Sequence, residues 1–464
     1  MIELISMLVY YFKELLKDRK LMKSCITLAI PIMFQNLVVS AVTLVDNLMV
    51  GMLGDAAISG VASANKYYTI VFFVINSMVA ACLIFMAQYN GAGNVDKMKE
   101  TYRFSLISSY IPLIIAFIIV SLFPAQLIGF LIDDEAIILE GTKYIKVAAY
   151  SYLPLGISIA IAGAMRATGD SKTPMIISII SIIVNAVLDY GLILGKLGLP
   201  SLGVEGAAIA TIIARIVEVI LLLRSVKKGN YIFDTEIKEI FNFDKGLAKD
   251  IIIKALPLVV NEMLFQLGMA MQLKAISTRG AIANTAYSIA ITVSDLFFVL
   301  FGGMAIATTV LVGTPLGANK LQEAKDNGYK LIVFSVILAF FFGVAMFISQ
   351  FIVPLIYPSI SEDALLMAQL FLKTMSCLFW IYMFDCQCYF TLRAGGDTKS
   401  TLFMDSGFMW VVNLPVLFSL AIFTNVPAIV VYVCGQLTDV IKAFFAFYMV
   451  RKEKWVKNLA IENE

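Results

Sequence analysis

The chain has 464 residues, of which 60% are hydrophobic and only 15% charged; its formal net charge is +2 and it has no histidine. A mean hydropathy of +0.89 excludes a soluble protein of this size, because one interior could not bury so much apolar surface. The lack of histidine also removes the commonest general base and transition-metal ligand. The composition therefore indicates a polytopic helical membrane protein.

The first 23 residues do not have the pattern of a secretory signal peptide, since no small-residue cleavage site follows them. An amphipathic stretch leads into basic residues that include Lys13, Lys17 and Lys20. This pattern predicts a cytoplasmic segment at the membrane surface that leads into the first span.

Apolar runs long enough to cross a hydrocarbon core of about 30 Å recur along the whole chain. Twelve spans are predicted, at 26–50, 62–88, 102–124, 138–164, 174–194, 206–226, 250–276, 284–312, 328–353, 364–391, 400–423 and 428–450. The one long polar connection, 227–249, divides the chain into a six-helix lobe at 1–226 and a second six-helix lobe at 250–464, which ends in a tail.

The two halves repeat each other. The segment that begins Met165-Arg-Ala-Thr-Gly-Asp returns as Leu392-Arg-Ala-Gly-Gly-Asp, 227 residues later, and the pair Ile30-Pro31 returns as Leu256-Pro257, 226 residues later. A further echo, Gly91-Ala-Gly against Gly317-Ala-Asn, has the same offset of 226. Matching echoes at one offset indicate duplication of a whole lobe.

Lysine and arginine concentrate in alternate connections. The N-terminal lead, the loops at 89–103, 166–173, 313–330 and 392–399, the central connection and the C-terminal tail are basic, whereas 51–60, 354–363 and 424–428 have no basic residue. By the positive-inside rule both termini are cytoplasmic, and the location predicted is the plasma (inner) membrane. Both copies then begin on one side, so the expected fold is all-α, with twelve transmembrane helices in two parallel-repeat six-helix bundles.

Polar residues inside the first-lobe spans are the strongest functional candidates, because a carboxylate in mid-membrane is costly unless it is neutralised, paired or hydrated. Asp46 lies fifteen residues after Pro31, and Asp189 lies sixteen residues after Thr173, so both reach the outer half of the membrane. Asn185 shares the face of Asp189, four residues earlier, and Thr211 reaches the same layer. This group predicts an oxygen-ligand site for Na⁺, or a carboxyl pair that holds one proton.

The second half has its own intramembrane acids. Glu262 and Asp295 lie about twelve residues into their spans, and Asp385 lies in the tenth span. They are candidates for a second-lobe substrate or cation site, although pairing with a nearby lysine or amide is an equally good explanation. Gln272 is the repeat counterpart of Asp46.

Two other second-half acids have simpler interpretations. Asp439 and Lys442 are three residues apart and are expected to pair within one helix. Asp405 lies within two turns of the cytoplasmic face, so it is expected to be solvated.

These residues, taken together, resemble the MATE (multidrug and toxic compound extrusion) family over essentially the full length. The matching segments are Pro31 with Leu44-Val-Asp-Asn-Leu-Met-Val-Gly51, Gln88-Tyr-Asn-Gly-Ala-Gly93, the Met165 segment, Asn185-Ala-Val-Leu-Asp189 and Gly203-Val-Glu-Gly-Ala-Ala-Ile-Ala-Thr211. The resemblance implies a central cavity and Na⁺- or H⁺-driven export of amphipathic, often cationic, compounds. It is closer to the DinF-like pattern, in which Asp46, Asn185, Asp189 and Thr211 bind the ion and Pro31 is a proposed point of helix bending.

The function predicted is secondary antiport of amphipathic organic compounds against H⁺ or Na⁺, with no other cofactor or metal. The alternative is a flippase for a lipid-linked precursor, which should present a basic cavity, whereas the strongest intramembrane group here is acidic. An intramembrane protease is disfavoured because Gly-x-Gly-Asp is absent. The expected partners are small organic molecules and the lipid bilayer; no nucleic acid is expected, and the protein is expected to act as a monomer.

Overall fold

The structure is a computed structural model that describes residues 2–357 and 360–461, and within these ranges it contains helices and no strand. Twelve helical spans are long and apolar enough to cross a membrane. They are α2 (Arg19–Gly51), α3 (Asp55–Ala92), α4 (Val95–Leu122), α6 with α7 (Glu135–Ala167), α8 (Lys172–Leu194), α9 (Gly203–Gly229), α10 (Lys245–Ser277), α11 (Ala281–Gly317), α12 (Leu321–Ser349), α14 (Glu362–Ala394), α15 with α16 (Thr398–Phe423) and α17 (Ala428–Arg451). Short helices complete the set: α1 (Ile2–Lys17), α5 (Pro124–Leu131) and α13 (Val353–Ile356).

The twelve predicted spans are confirmed, but most helices run further than the apolar runs do. The second span, predicted at 62–88, is α3, Asp55–Ala92. Its end is set by Gly93, which adopts the left-handed conformation, and the next helix starts where the Asn94 side chain accepts a hydrogen bond from the backbone N–H of Lys97 at 3.1 Å. Helix ends follow such caps, whereas the apolar run marks only the part that lies in hydrocarbon.

Two spans depart from regular α-helix. Residues Ala149–Ser151 form a turn of 3₁₀-helix between α6 and α7. The eleventh span contains two π-helical segments, Phe403–Gly407 and Met409–Asn413, between α15 and α16. A π-helical turn accommodates an extra residue, so the faces that follow it are rotated relative to an uninterrupted α-helix.

One compact unit comprises Phe34–Ala255. Its core is built where α3, α4, α6 and α9 present fully buried apolar residues, such as Ile75, Leu113, Ile145 and Ala208. This unit contains all four residues of the predicted coupling site.

The other compact unit comprises Met1–Met33 and Leu256–Glu464. The first half of α2 belongs to it because this stretch packs on α11: the Cys25 sulfur lies 3.7 Å from the Met304 sulfur, and a side chain at Gly303 would come within 2.8 Å of the Ala29 carbonyl oxygen. These units therefore divide the chain inside helices α2 and α10, close to the two repeated prolines, instead of at the polar connection. The predicted lobes, 1–226 and 250–464, stay a prediction about the extent of the repeat.

The N-terminal helix α1 packs on α12. The rings of Tyr11 and Tyr329 stack at 5.0 Å, and Lys330 pairs with Asp18 at 2.9 Å just after α1 ends. On its other faces α1 exposes both apolar side chains, Phe12 among them, and basic ones.

The segment between α9 and α10 folds back onto the Phe34–Ala255 unit. Arg103, which is 8% exposed, donates to the Thr235 hydroxyl at 2.7 Å and to the Asn242 carbonyl oxygen at 3.0 Å, and it also pairs with Glu239. Phe233 is fully buried beside these contacts. The connection, predicted as 227–249, is shorter than expected because α9 continues to Gly229 and α10 begins at Lys245.

The tail after α17 folds back in the same way onto the second unit. Trp455 is fully buried, and its backbone lies against Gly395 of the repeated Arg-Ala-Gly-Gly-Asp segment. Lys325 and Glu453 form an ion pair at 2.6 Å, and the Asn458 side-chain amide donates to the Gly317 carbonyl oxygen at 3.2 Å.

Candidate functional site

A cavity of about 200 Å³ lies within the Phe34–Ala255 unit. Its walls come from five spans: α2, α3, α6–α7, α8 and α9. Three of the four predicted coupling residues line it, namely Asp46, Asn185 and Thr211. The fourth, Asp189, follows Asn185 by four residues on the same helix, and its carboxyl group lies close enough to Asp46 for the two charges to interact. The structure thus brings together four residues that are up to 165 positions apart in sequence.

The helix positions of these residues explain the convergence. Asn185 and Asp189 lie on one face of α8, four residues apart, and Asp189 is only 2% exposed. Asp46 lies five residues before the end of α2, and Thr211 lies eight residues after the start of α9. The Thr211 hydroxyl donates to the Ala207 carbonyl oxygen of its own helix at 3.0 Å, so its oxygen lone pairs are left to accept hydrogen bonds or to bind a cation.

The two carboxyl groups define the chemistry of the site. Two carboxylates that lie close together repel each other where little water screens them, so the pair is expected to hold one proton or a cation. One carboxyl oxygen of each, and the amide nitrogen of Asn185, are buried without a hydrogen-bond partner among the described residues. Unsatisfied buried polar atoms are costly, so these atoms are the candidates in this cavity for binding a proton or a cation.

Aromatic side chains that were not predicted from the sequence form one wall of the cavity. The Tyr144 hydroxyl donates to the Asn65 side-chain oxygen at 3.3 Å, and the rings of Tyr68 and Tyr152 lie 6.0 Å apart. All four residues line the cavity. No sequence signal pointed to them, because tyrosine in an apolar helix is usually a packing residue.

Arg215, which was also not predicted, lines the cavity one turn along α9 from Thr211. Its guanidinium donates to Glu218 at 2.8 Å and to the Tyr68 hydroxyl at 3.2 Å. A signal was present in the sequence: a base and an acid three residues apart inside an apolar span are an intramembrane ion pair, and such charges mark ion pathways.

In the second unit, Gln272 occupies a neutral hydrogen-bonded network. Its amide nitrogen donates to Asn413 at 2.8 Å, and Asn413 in turn donates to the Thr438 hydroxyl at 3.0 Å. At the repeat offset, Thr438 corresponds to Thr211. At the offset of 227, the residue that corresponds to Asn185 is Val412, but Asn413, at the end of the second π-helical segment, makes these contacts.

The second-lobe acids are arranged differently from the expectations. Lys442 pairs with Asp405 at 2.7 Å and not with Asp439, and Asp405 also accepts from the Asn261 amide at 3.0 Å. The expected Asp439–Lys442 pair and the solvated Asp405 are therefore both wrong: the Asp405 side chain is only 18% exposed. Sequence spacing could not find this pair, because its members lie on different helices.

The three candidate acids of the second lobe do not share one described site. Asp385 is 2% exposed, and neither carboxyl oxygen has a hydrogen-bond partner among the described residues. Glu262 is half-buried, and Asp295 is exposed on α11. Their roles stay a prediction.

This fold, a duplicated bundle of twelve membrane-spanning helices with a polar cavity inside one copy, defines a multi-pass membrane transporter. The family model described as MatE matches the chain twice, at residues 31–191 and 257–437. The chain belongs to the MatE family. The two matches begin at Pro31 and Pro257, which are 226 residues apart, so the family match reproduces the repeat offset found in the sequence.

Relatives with assigned names match over most of their length. The chain is 26% identical to a probable multidrug resistance protein NorM of Thermotoga maritima, over 95% of each chain. It is 23% identical to a probable multidrug resistance protein YoeA of Bacillus subtilis, over 87% of this chain and 88% of the relative.

Solved structures show the same fold. A MATE structure in the bent conformation superposes with a TM-score of 0.84 at 18% identity, covering 95% of this chain and 96% of the other. A point mutant of the Vibrio cholerae MATE transporter VcmN superposes with a TM-score of 0.85 at 17% identity, covering 95% of this chain and 99% of the other. The predicted family and fold are thereby confirmed, and the finer DinF-like pattern stays a prediction.

Proposed function

We propose that this protein is a secondary antiporter that exports amphipathic, often cationic, organic compounds in exchange for H⁺ or Na⁺, which binds at Asp46, Asn185, Asp189 and Thr211. The observation that carries the proposal is the electrostatic interaction of two neighbouring carboxyl groups, Asp46 and Asp189, the first of which lines an intramembrane cavity. The names of the relatives, which are multidrug resistance proteins, support the substrate class.

The geometry suits exchange of one cation for another. With one proton, the carboxyl pair has a charge of −1; loss of that proton leaves −2 in a site of low polarity, and a second cation then becomes favourable. Coupling requires that the ion and the substrate stabilise different conformations, since a ligand that binds both equally shifts nothing. The helix that carries Asp46 also contains Pro31, whose missing N–H weakens the helix where the two compact units divide, and we propose Pro31 as the bending point.

The flippase alternative is less favoured by the cavity. A site for a lipid-linked phosphate should have unpaired basic side chains. The base that lines this cavity, Arg215, is paired with Glu218, and Asp46 adds negative charge. We further propose that the protein acts as a monomer in the plasma membrane. An even number of spans supports two termini on the same side of the membrane, and the basic connections support the cytoplasm as that side.

Purified protein in proteoliposomes tests the assignment. Efflux of a cationic dye is measured with a pH gradient and with a Na⁺ gradient, imposed separately, for the wild type, Asp46→Asn and Asp189→Asn. Both variants should lose gradient-driven efflux while they elute as folded protein. Asp55→Asn, an exposed carboxylate at the start of α3, is the matched control and should retain full efflux. Undiminished efflux by both site variants would refute the assignment of Asp46 and Asp189 to the coupling site.

A further inference from the structure

The cavity beside Asp46 reaches the base of an intramembrane ion pair that the coupling site does not use. Arg215 lines the cavity and donates to Glu218 at 2.8 Å, and the Glu218 side chain is only 9% exposed. A buried ion pair is a weak source of stability, because removing two charges from water costs about as much as their attraction returns. Retaining such a pair within a membrane span suggests that it has another role.

The pair lies along one helix from the coupling site. Thr211, Arg215 and Glu218 are at positions i, i+4 and i+7 of α9, so they share one helical face. Glu218 is seven residues beyond Thr211, or about 10 Å further along the helix axis. This direction leads to the membrane face where α9 ends and the segment 230–244 folds back.

The space between the two sites suits proton movement. A cavity of about 200 Å³ has room for several water molecules, each of which occupies about 30 Å³ in the liquid. Hydroxyl groups line this cavity. The Tyr68 hydroxyl accepts a hydrogen bond from Arg215, and the Ser178 and Ser151 side chains also form part of the lining.

The repeat preserves the base but not the acid. Lys442 lies 227 residues after Arg215 and pairs with Asp405 on another helix at 2.7 Å. Each copy thus contains one base at the corresponding position of its sixth span, paired with a carboxylate. In the first copy the carboxylate, Glu218, comes from the same helix as the base, and that base, Arg215, lines the cavity beside Asp46.

We propose that Glu218 is the exit group for the coupling proton, and that Arg215 is the base that positions it. This inference rests on the proposed function, with H⁺ as the coupling ion. The proton leaves the Asp46–Asp189 pair, crosses the cavity and neutralises the Glu218 carboxylate; the Arg215 guanidinium then loses its ionic partner and keeps its hydrogen bond to Tyr68.

Glu218 subsequently releases the proton toward the 230–244 face and pairs with Arg215 again. The charged and titratable groups that face it are Arg215 on its own helix, Tyr68 on α3 beyond the guanidinium, and Arg166 on α7, which interacts with it electrostatically.

The test separates net proton release from substrate translocation. Substrate–substrate exchange across a proteoliposome without a gradient needs alternating access but no net proton release, whereas uphill efflux driven by a pH gradient needs both. Glu218→Gln is expected to reduce uphill efflux of a cationic dye by about tenfold or more while exchange stays within about twofold of the wild type. Glu205→Gln, an exposed acid in the first turn of the same helix, is the matched control and should behave as wild type in both assays.

A double variant keeps the proposal testable if Glu218→Gln alone does not fold. Arg215→Gln with Glu218→Gln removes both charges, which avoids an unpaired guanidinium in the span, and it should show the same selective loss. Undiminished uphill efflux in the folded variants overturns the proposal, and so does parallel loss of efflux and exchange, which would indicate a structural role. Asp46→Asn separates failure of the proposed function from failure of the role of Glu218. If Asp46→Asn retains uphill efflux, the proposed function itself fails. If Asp46→Asn loses uphill efflux while the Glu218 variants keep it, only the role of Glu218 fails.

Discussion

Replacing Gly395 by alanine should release the C-terminal tail from the second unit. Gly395 has φ of −84° and ψ of 2°, a conformation that alanine adopts without strain, so any cost must come from its surroundings. A β-carbon there would lie 1.8 Å from the Trp455 carbonyl oxygen and 2.6 Å from its carbonyl carbon. Since non-bonded carbon contacts are ordinarily near 3.5 Å, the backbone of the tail must retreat by more than about 1.5 Å.

The size of the effect on tail docking follows from the contacts that the tail would lose. Trp455 is fully buried while the tail is docked, and loss of a buried tryptophan side chain costs about 3–5 kcal/mol. Its indole N–H also loses the Val450 carbonyl oxygen at 3.0 Å unless water replaces it. If Gly395→Ala removes even about 3 kcal/mol of docking energy, the open fraction of the tail rises about a hundredfold.

Limited proteolysis measures this opening directly. The tail contains Lys452, Lys454 and Lys457, so trypsin should cut Gly395→Ala at these sites about a hundred times faster than wild type while cleavage elsewhere is unchanged. Thr168→Ala is the matched control, because Thr168 is the repeat counterpart of Gly395. It should leave tail cleavage at the wild-type rate.

A combined variant isolates the cause. In a chain that ends after Glu453, Trp455 is absent and the new methyl group has no backbone to contact. Gly395→Ala should therefore leave the thermal unfolding temperature of this shortened chain unchanged. An unchanged tryptic rate for Gly395→Ala in the full chain, or an equal loss of stability in the shortened chain, would refute the packing explanation.

Two further variants test other parts of the structure. Tyr231→Phe should loosen the segment 230–244 by about 1 kcal/mol, because the Tyr231 hydroxyl donates to Asp170 at 2.5 Å. Burial alone would raise the pKa of Asp170, but hydrogen bonds from Thr173, Tyr231 and the Lys172 backbone N–H hold this pKa below its usual range. The contact therefore stabilises the fold above about pH 4 and is lost as the pH falls through the lowered pKa. Hydrogen exchange of the segment in wild type and variant, between about pH 3 and 7, measures the loosening and its pH dependence, and equal protection at neutral pH would contradict the assignment. Gln272→Leu should reduce stability by about 1–3 kcal/mol through the amide partner that it strands, yet leave the dependence of dye efflux on the ion gradient unchanged, and a shifted ion dependence would show that the neutral network takes part in coupling.

Much of the architecture was determined by the sequence. Apolar runs of about 20 residues can lie only across a membrane, which established twelve spans, and the single offset shared by the Pro31 and Arg166 echoes revealed the duplication. The candidate coupling residues could also be proposed from the sequence, because Asn185 and Asp189 follow helical spacing and depth can be counted at a constant rise per residue.

Contacts between helices could not be predicted from hydropathy and the rise per residue. Hydropathy reports how deep a residue lies, but not which way it faces or what lies opposite. The partner of Lys442 was therefore predicted incorrectly as Asp439, and the Arg215–Glu218 pair was missed. The contacts of Asn413, at the end of a π-helical segment, were likewise not found from the repeat, whose offset pairs Asn185 with Val412. The amino-acid sequence by itself thus determined the spans, the repeat and the depth of each charged group, since these depend on local hydrophobicity and helix rise; only the tertiary structure decided which charges pair, because pairing depends on how helices pack side by side.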